Sequence, residues 1–196
     1  VNTPSHLIIN AAIRKRAQGA GHAIPRGPFL LGAVLPDIPL TLLWIGAYIW
    51  YRHIQGNPAV SLMDESFDRL YFTHPLWITS YNTLHAPVLL LTALALLWRS
   101  RGREGSRRQW WFWFFAGCLV HSALDIPVHV TDGPLLFFPL EWSIRFHSPV
   151  SYWDPRHYGR QFALFELLLN LALLAYLFGP ATVRWLAKRR AAQVET

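Results

Sequence analysis

The sequence predicts an all-α, polytopic membrane protein of about four transmembrane helices, with a further amino-terminal helix at the interface. Three observations predict it. Of the 196 residues, 53% are hydrophobic and only 15% are charged, a balance unusual for a soluble globule. Four apolar stretches, residues 29–51, 78–98, 110–126 and 162–178, reach or approach the roughly 20 residues that a spanning helix needs. The basic residues gather in the links: Arg99, Arg101, Arg103, Arg107 and Arg108 lie between the second and third stretches, and Arg184, Lys188, Arg189 and Arg190 follow the fourth. The connections 52–77 and 127–160 instead carry Asp64, Glu65, Asp68, Asp132, Glu141 and Asp154. Under the positive-inside rule the basic links and both termini are cytoplasmic.

Each element has a local reason. Thr3 or Ser5 can cap a first helix that runs to about Ala17, with Leu7, Ile8, Ile9, Ala12 and Ile13 on its apolar side. It is too short to span, and is expected at the interface or packed on the bundle. Its apolar run precedes Arg14, Lys15 and Arg16, the reverse of a cleavable signal peptide, so the chain's own helices are expected to direct insertion. The next stretch is interrupted by Pro36 and Pro39 around Asp37, which predicts a kink or break. A short amphipathic helix fits residues 61–72. The second span contains His85 and Pro87, and the third opens with "WWFWFF", bulk that suits an interface. Several spans are short, so tilt or local thinning is expected. The connection 127–160, rich in Pro, Trp, Phe and Tyr, is too aromatic for a solvated linker and is expected to fold over something as a lid or binding loop. Without a repeat or a second-domain cue, residues 1–196 read as one membrane-embedded helical domain.

The chemistry-bearing residues fall in or beside the spans. The lone cysteine, Cys118, excludes an intramolecular disulfide and any multi-cysteine metal site, so a metal would be held by nitrogen and oxygen. The net charge of +7 is accounted for by membrane topology, and aromatic residues beside the basic patches by interfacial belts, so no nucleic acid is expected. In "HSALDIPVHVTDG", His121 and Asp125 are four residues apart and share one helix face. They read either as a hydrogen-bonded pair that packs helices or as two ligands of one cation. Ionisable residues inside membrane segments are costly and default to a functional role. His129 and Asp132 follow Pro127, which should end the helix, and can turn back toward the same point.

Other segments supply Asp37, His85 and His6. Three histidines and two carboxylates suit zinc, iron(II) or manganese better than magnesium or calcium. A cation so held lowers the pKa of bound water to about 7 and polarises a phosphoryl or carbonyl oxygen, with His129 or Asp132 as proton acceptor. Cytoplasmic termini separate His6 from His85 and the 121–129 group. A shared site then requires a re-entrant first helix, or a break at "PDIP" that shifts Asp37 outward. Asp154 and His157 read either as extra ligands or as a hydrogen-bonding pair within the loop, the second favoured. Glu166 is an acid in an apolar setting that Arg160 reaches only through the preceding loop, and His22, His53 and His74 read as loop residues.

The stretches "TPSHLIINAAI", "LLGAVLPDIP", "LHAPVLLL" and "GCLVHSALDIPVHVTDGPLLFFPL" resemble successive motifs of the membrane-bound, metal-dependent hydrolase family of prokaryotic inner membranes. The resemblance covers most of residues 3–140 and, through that family, extends distantly to zinc-dependent phospholipases C. It implies an inner-membrane location, a divalent transition metal, foremost zinc, and His6, Asp37, His85, His121 and Asp125 as metal ligands. Before His85 this chain reads "YNTLH", where the family often shows a longer His-Arg-Gly-x-x-His pattern.

The function expected is metal-dependent hydrolysis of a phosphate ester or related bond in a lipid or lipid-linked substrate, with membrane lipid as the surrounding partner. The alternative is a non-enzymatic accessory subunit of a larger membrane complex, its tryptophans and long loop meeting partner subunits. An ion or transport pathway would need a continuous polar route, whereas the polar groups here gather to one side.

Overall fold

The computed structural model describes residues 1–194, with side chains through Gly179. The basic residues Arg184, Lys188, Arg189 and Arg190 therefore lie outside the described side chains. The chain is an all-α, polytopic membrane protein; among the described residues the only β pairing is an isolated antiparallel bridge between Leu135 and Arg145.

The helices in chain order are α1 (Thr3–Gly19), α2 (Arg26–Val34), α3 (Ile38–Ile49), the single turn α4 (Tyr71–Thr73), α5 (Pro75–Asn82), α6 (Pro87–Leu97), α7 (Arg107–Asp125) and α8 (Gly159–Val194). Three segments are long and apolar enough to cross a membrane: Arg26–Ile54, Arg107–Val128 and Gly159–Gly179. A fourth forms if α5 and the helix Pro87–Ser100 are taken together across a 45° bend.

The two proline interruptions have different outcomes. At "LPDIP" the chain tightens into a 3₁₀ turn, Leu35–Asp37, and continues as α3, so the expected kink keeps the span in one line. Between α5 and α6 the helix stops. Residues 83–86 form a turn that carries His85, and Pro87 restarts the helix at its first position, where a missing N–H costs nothing. The expected continuous second span is thus broken at its histidine. The amphipathic helix expected at 61–72 is present, wound as a π-helix over Asp64–Leu70 and leading into α4.

A close parallel contact of α2 and α7 organises the bundle. Gly32 lies against Phe114, Gly117 and Cys118, and Gly117 against the carbonyl of Phe29; a Cβ at either glycine would collide with that backbone. Small residues let helices approach in a membrane, where lipid offers no hydrophobic drive for association. Asn10 of α1 donates from Nδ2 to the carbonyls of Phe29 (3.2 Å) and Gly117 (3.3 Å), tying three helices together. One turn further along, His121 Nδ1 meets the carbonyl of Ala33, 88 positions away. The same offset sets Asp37 beside Asp125. α6 runs antiparallel to α7, Leu90 packing on Phe114 and Cys118, and the Ser122 hydroxyl donating to the carbonyl of His85.

α1 lies antiparallel to α2 and parallel to α8. Asn2 reaches Glu166, Ser5 reaches Asn170, and Lys15 reaches the carbonyls of Tyr176 and Leu177. Its inward face is the polar one: Ser5, His6, Asn10 and Ala12 are buried, whereas Leu7 and Ile13 are exposed. Thr3 and Ser5 are not caps. The N-cap is Asn2, without a side-chain cap bond, and Thr3 and Ser5 spend their hydroxyls on Asp37 and Asn170.

The aromatic connection 127–160 folds back over the end of the bundle. Asn82, fully buried, accepts from the Leu135 N–H at 2.7 Å. Leu135 and Phe138 pack on Ile78 and Ala86, and Tyr152 N–H bonds to the carbonyl of Val128.

Candidate metal centre

These contacts bring the start of α1, the end of the 3₁₀ turn after α2, the turn before α6, the end of α7 and the start of α8 to one end of the bundle. Arg14, Arg26 and Arg99–Arg108 belong to the segments at the other end. Because α1 runs antiparallel to α2, His6 arrives at the same end as His121 and Asp125, so the start of α1 lies opposite the basic links and not beside them as expected.

Asp37, His85, His121 and Asp125 form a group that can hold a metal ion, one ligand atom from each lying within 4.8 Å of the others. His85 Nε2 and His121 Nε2 are 3.1 Å apart. From His121 Nε2 it is 3.3 Å to Asp37 Oδ1 and 3.1 Å to Asp125 Oδ2. From His85 Nε2 the same oxygens are 3.6 and 3.8 Å away. Tetrahedral ligands on bonds of about 2.0–2.2 Å stand about 3.3–3.6 Å from one another, so the edges have the scale of a zinc-type site.

The second ring nitrogens explain the convergence. His85 Nδ1 bonds to the carbonyl of Tyr81 at 2.8 Å, and His121 Nδ1 to that of Ala33 at 2.9 Å. A carbonyl only accepts, so both protons sit on Nδ1 and both Nε2 lone pairs point into the centre. The Tyr81 ring stacks on His85 at 4.0 Å and fixes its plane. The imidazole of His85 comes from the helix break, which frees it to face α7.

His6 forms a second tier. It is fully buried and stacked on His121 with centroids 3.6 Å apart. Its Nε2 approaches Asp125 Oδ1 at 3.1 Å, but without hydrogen-bond alignment, and neither ring nitrogen has an aligned partner among the described residues. Burial pushes its pKa down, against the pull of the Asp125 carboxylate. Both ring nitrogens of His6 thus stand beside the group of four without belonging to it. Asp125 thus turns Oδ2 to the histidine pair and Oδ1 to His6 and the Val1 nitrogen. Two carboxylates beside these imidazoles, with no Lys or Arg paired to them among the described residues, are a donor set that suits a cation.

His129 and Asp132 do not join this group. His129 Nδ1 lies 3.1 Å from Asp132 Oδ2, too poorly aligned for a hydrogen bond, and the same oxygen accepts from the Trp153 indole at 3.0 Å. The His129 ring instead meets Tyr152, centroids 4.9 Å apart.

A cavity of about 250 Å³ reaches the group at Asp37, the ligand with a quarter of its side chain exposed. Thr3, Asp37, Leu40, Trp44, Phe67 and Tyr152 are among its walls. Thr3 donates its hydroxyl to Asp37 Oδ2. Burial and the carboxylates of Asp125, Asp132, Asp37 and Glu166 push the Tyr152 pKa up, so its phenol remains a proton donor. Sequence reasoning missed Thr3, Trp44, Tyr81 and Tyr152. The signal available for Thr3 was the polar stripe that it shares with His6 and Asn10 on an otherwise apolar helix.

Two expected pairings change partner. Asp154 binds the guanidinium and N–H of Arg156, and its carbonyl accepts from the His157 N–H, so the pair expected with His157 is made with Arg156. Glu166 is buried and accepts from Asn2 N and Nδ2 at 2.8 and 2.6 Å, a partner from the opposite end of the sequence.

No curated protein and no solved structure matches this chain. One family, described as YdjM inner membrane protein, matches residues 5–186, nearly the whole length and every residue of the group above. The chain therefore belongs to the YdjM inner membrane protein family.

Proposed function

We propose that the protein is a metal-dependent hydrolase of the inner membrane that cleaves a phosphate ester or related bond in a lipid or lipid-linked substrate. The single observation that carries this is the convergence of His85 and His121 Nε2 with Asp37 and Asp125, open to a cavity on the Asp37 side. His85, His121, Asp37 and Asp125 would hold the ion, zinc foremost, with His6 behind Asp125. The bound cation would supply a Lewis acid for a phosphoryl oxygen and acidify water at the site.

The chain's own groups then divide the work. Asp37, steadied by Thr3, is the ligand carboxylate that faces the cavity. Tyr152, held as a phenol, is placed to donate a hydrogen bond to substrate. His129 and Asp132, expected from the sequence as proton acceptors, stand one ring behind the cavity and act through Tyr152 by positioning it. The basic segments at the opposite end support a site on the non-cytoplasmic side. A purely structural centre in an accessory subunit would be closed, and the cavity at Asp37 favours the enzyme.

The test is metal analysis of the purified protein together with phosphate release from lipid phosphates. We expect a stoichiometric transition metal and release that both disappear in His121→Ala. Absence of such a metal, with His121→Ala releasing phosphate as fast as the parent, ends the proposal.

A further inference from the structure

We propose that the cavity beside Asp37 is a headgroup pocket for a phosphate monoester on an alkyl chain, with the chain leaving sideways over α3 into the bilayer. The inference rests on the hydrolase reading for its reaction, though not for its binding.

Size argues for a small head. The cavity of about 250 Å³ has room for a phosphoryl group and its first neighbouring atoms. The walls are divided accordingly. Thr3, Asp37 and Tyr152 form the polar end, and Leu40, Trp44 and Phe67 the apolar one.

Two further observations point to an occupant. The buried indole Nε1 of Trp44, in the cavity wall, has no hydrogen-bond partner among the described residues, and an unmet buried donor is costly. α3 has no buried residue, although it lies within a spanning segment. Its Thr41 stands exposed at the cavity rim, with Leu42 and Ile45 exposed beside it. An alkyl chain that leaves the pocket at Thr41 therefore meets apolar surface continuous with lipid. No Lys or Arg lines the cavity, and a cation held by Asp37 and its partners would meet the phosphoryl charge.

The experiment titrates the zinc-loaded full chain in detergent, by calorimetry, with decylphosphonate and with methylphosphonate, neither of which has a P–O–C bond to hydrolyse. The parent should bind the decyl compound at least about tenfold tighter, in keeping with burial of several methylenes. Thr41→Trp, a change at an exposed rim position, should remove that preference and leave methylphosphonate within about twofold. Trp44→Phe, which keeps an aromatic wall, should weaken both by about fivefold, as loss of one hydrogen bond does. Stripping the metal should abolish both. Equal affinity for the two phosphonates, a preference unchanged in Thr41→Trp, or binding without metal overturns the pocket. A parent that binds decylphosphonate this way yet releases no phosphate from decyl phosphate upholds the pocket and removes the hydrolase reading instead.

Discussion

His85 and His121 face each other through Nε2 atoms 3.1 Å apart, while a main-chain carbonyl holds each Nδ1. Two lone pairs so opposed repel unless a proton or a metal ion lies between them. Asp37 and Asp125 add negative charge at the same point, and buried charge is expensive when unpaired.

A metal ion should therefore be part of the stability of the fold. Chelation is expected to lower the Tm in detergent, and added zinc to restore it; at a thousandfold excess over Kd, binding contributes about 4 kcal/mol. The shift should vanish in His121→Ala. Equal melting with and without chelator in the parent would mean that the folded cluster holds no ion.

Gly32→Ala should cost about 1–3 kcal/mol, the usual range for overpacking, since its new methyl meets the backbone of Phe114 and Cys118. The same contact sets the register that brings Asp37 beside Asp125, so metal affinity should fall with stability. Gly46→Ala is the control: a Cβ there meets nothing within 4 Å. Thermal melts and zinc titrations of the two variants check this, and a Gly32→Ala protein with parental affinity would show that the ligands do not depend on the helix contact.

Some of this was legible in the sequence. The four apolar stretches follow from composition alone, and His121 with Asp125 from helical spacing. Asp37 stood out as a charge in an apolar run. The orientation of α1 was not legible by the rules of soluble helices, because lipid is the apolar solvent here: Leu7 and Ile13 turn outward, while Ser5, His6 and Asn10 turn in. The parallel register of α2 and α7 depends on Gly32 meeting Gly117, a long-range contact that no local pattern announces. The cavity combines Thr3, Asp37, Trp44 and Tyr152 from four segments, and so exists only in the fold.

The loop over the site should loosen in acid through Asp132. Its side chain accepts from Trp153 and lies against His129, and its carbonyl accepts from the Tyr71 hydroxyl at 2.7 Å. Burial acts to raise its pKa, but His129 and the Trp153 hydrogen bond outweigh it and hold the carboxyl below its ordinary value. A carboxylate depressed in the folded state contributes stability that is fully present above the unfolded pKa, near 4, and is lost as pH falls through the folded value. The contribution of Asp132 to holding the loop should thus be unchanged from pH 7 to 5 and weaken only below about 4. Amide exchange at Tyr152, Trp153 and Asp154, corrected for intrinsic rates, should speed up over that acid range in the parent. In Asp132→Asn, which cannot titrate, the step should disappear. A step of the same size in the variant would assign it to another carboxylate and leave Asp132 without a part in closing the loop.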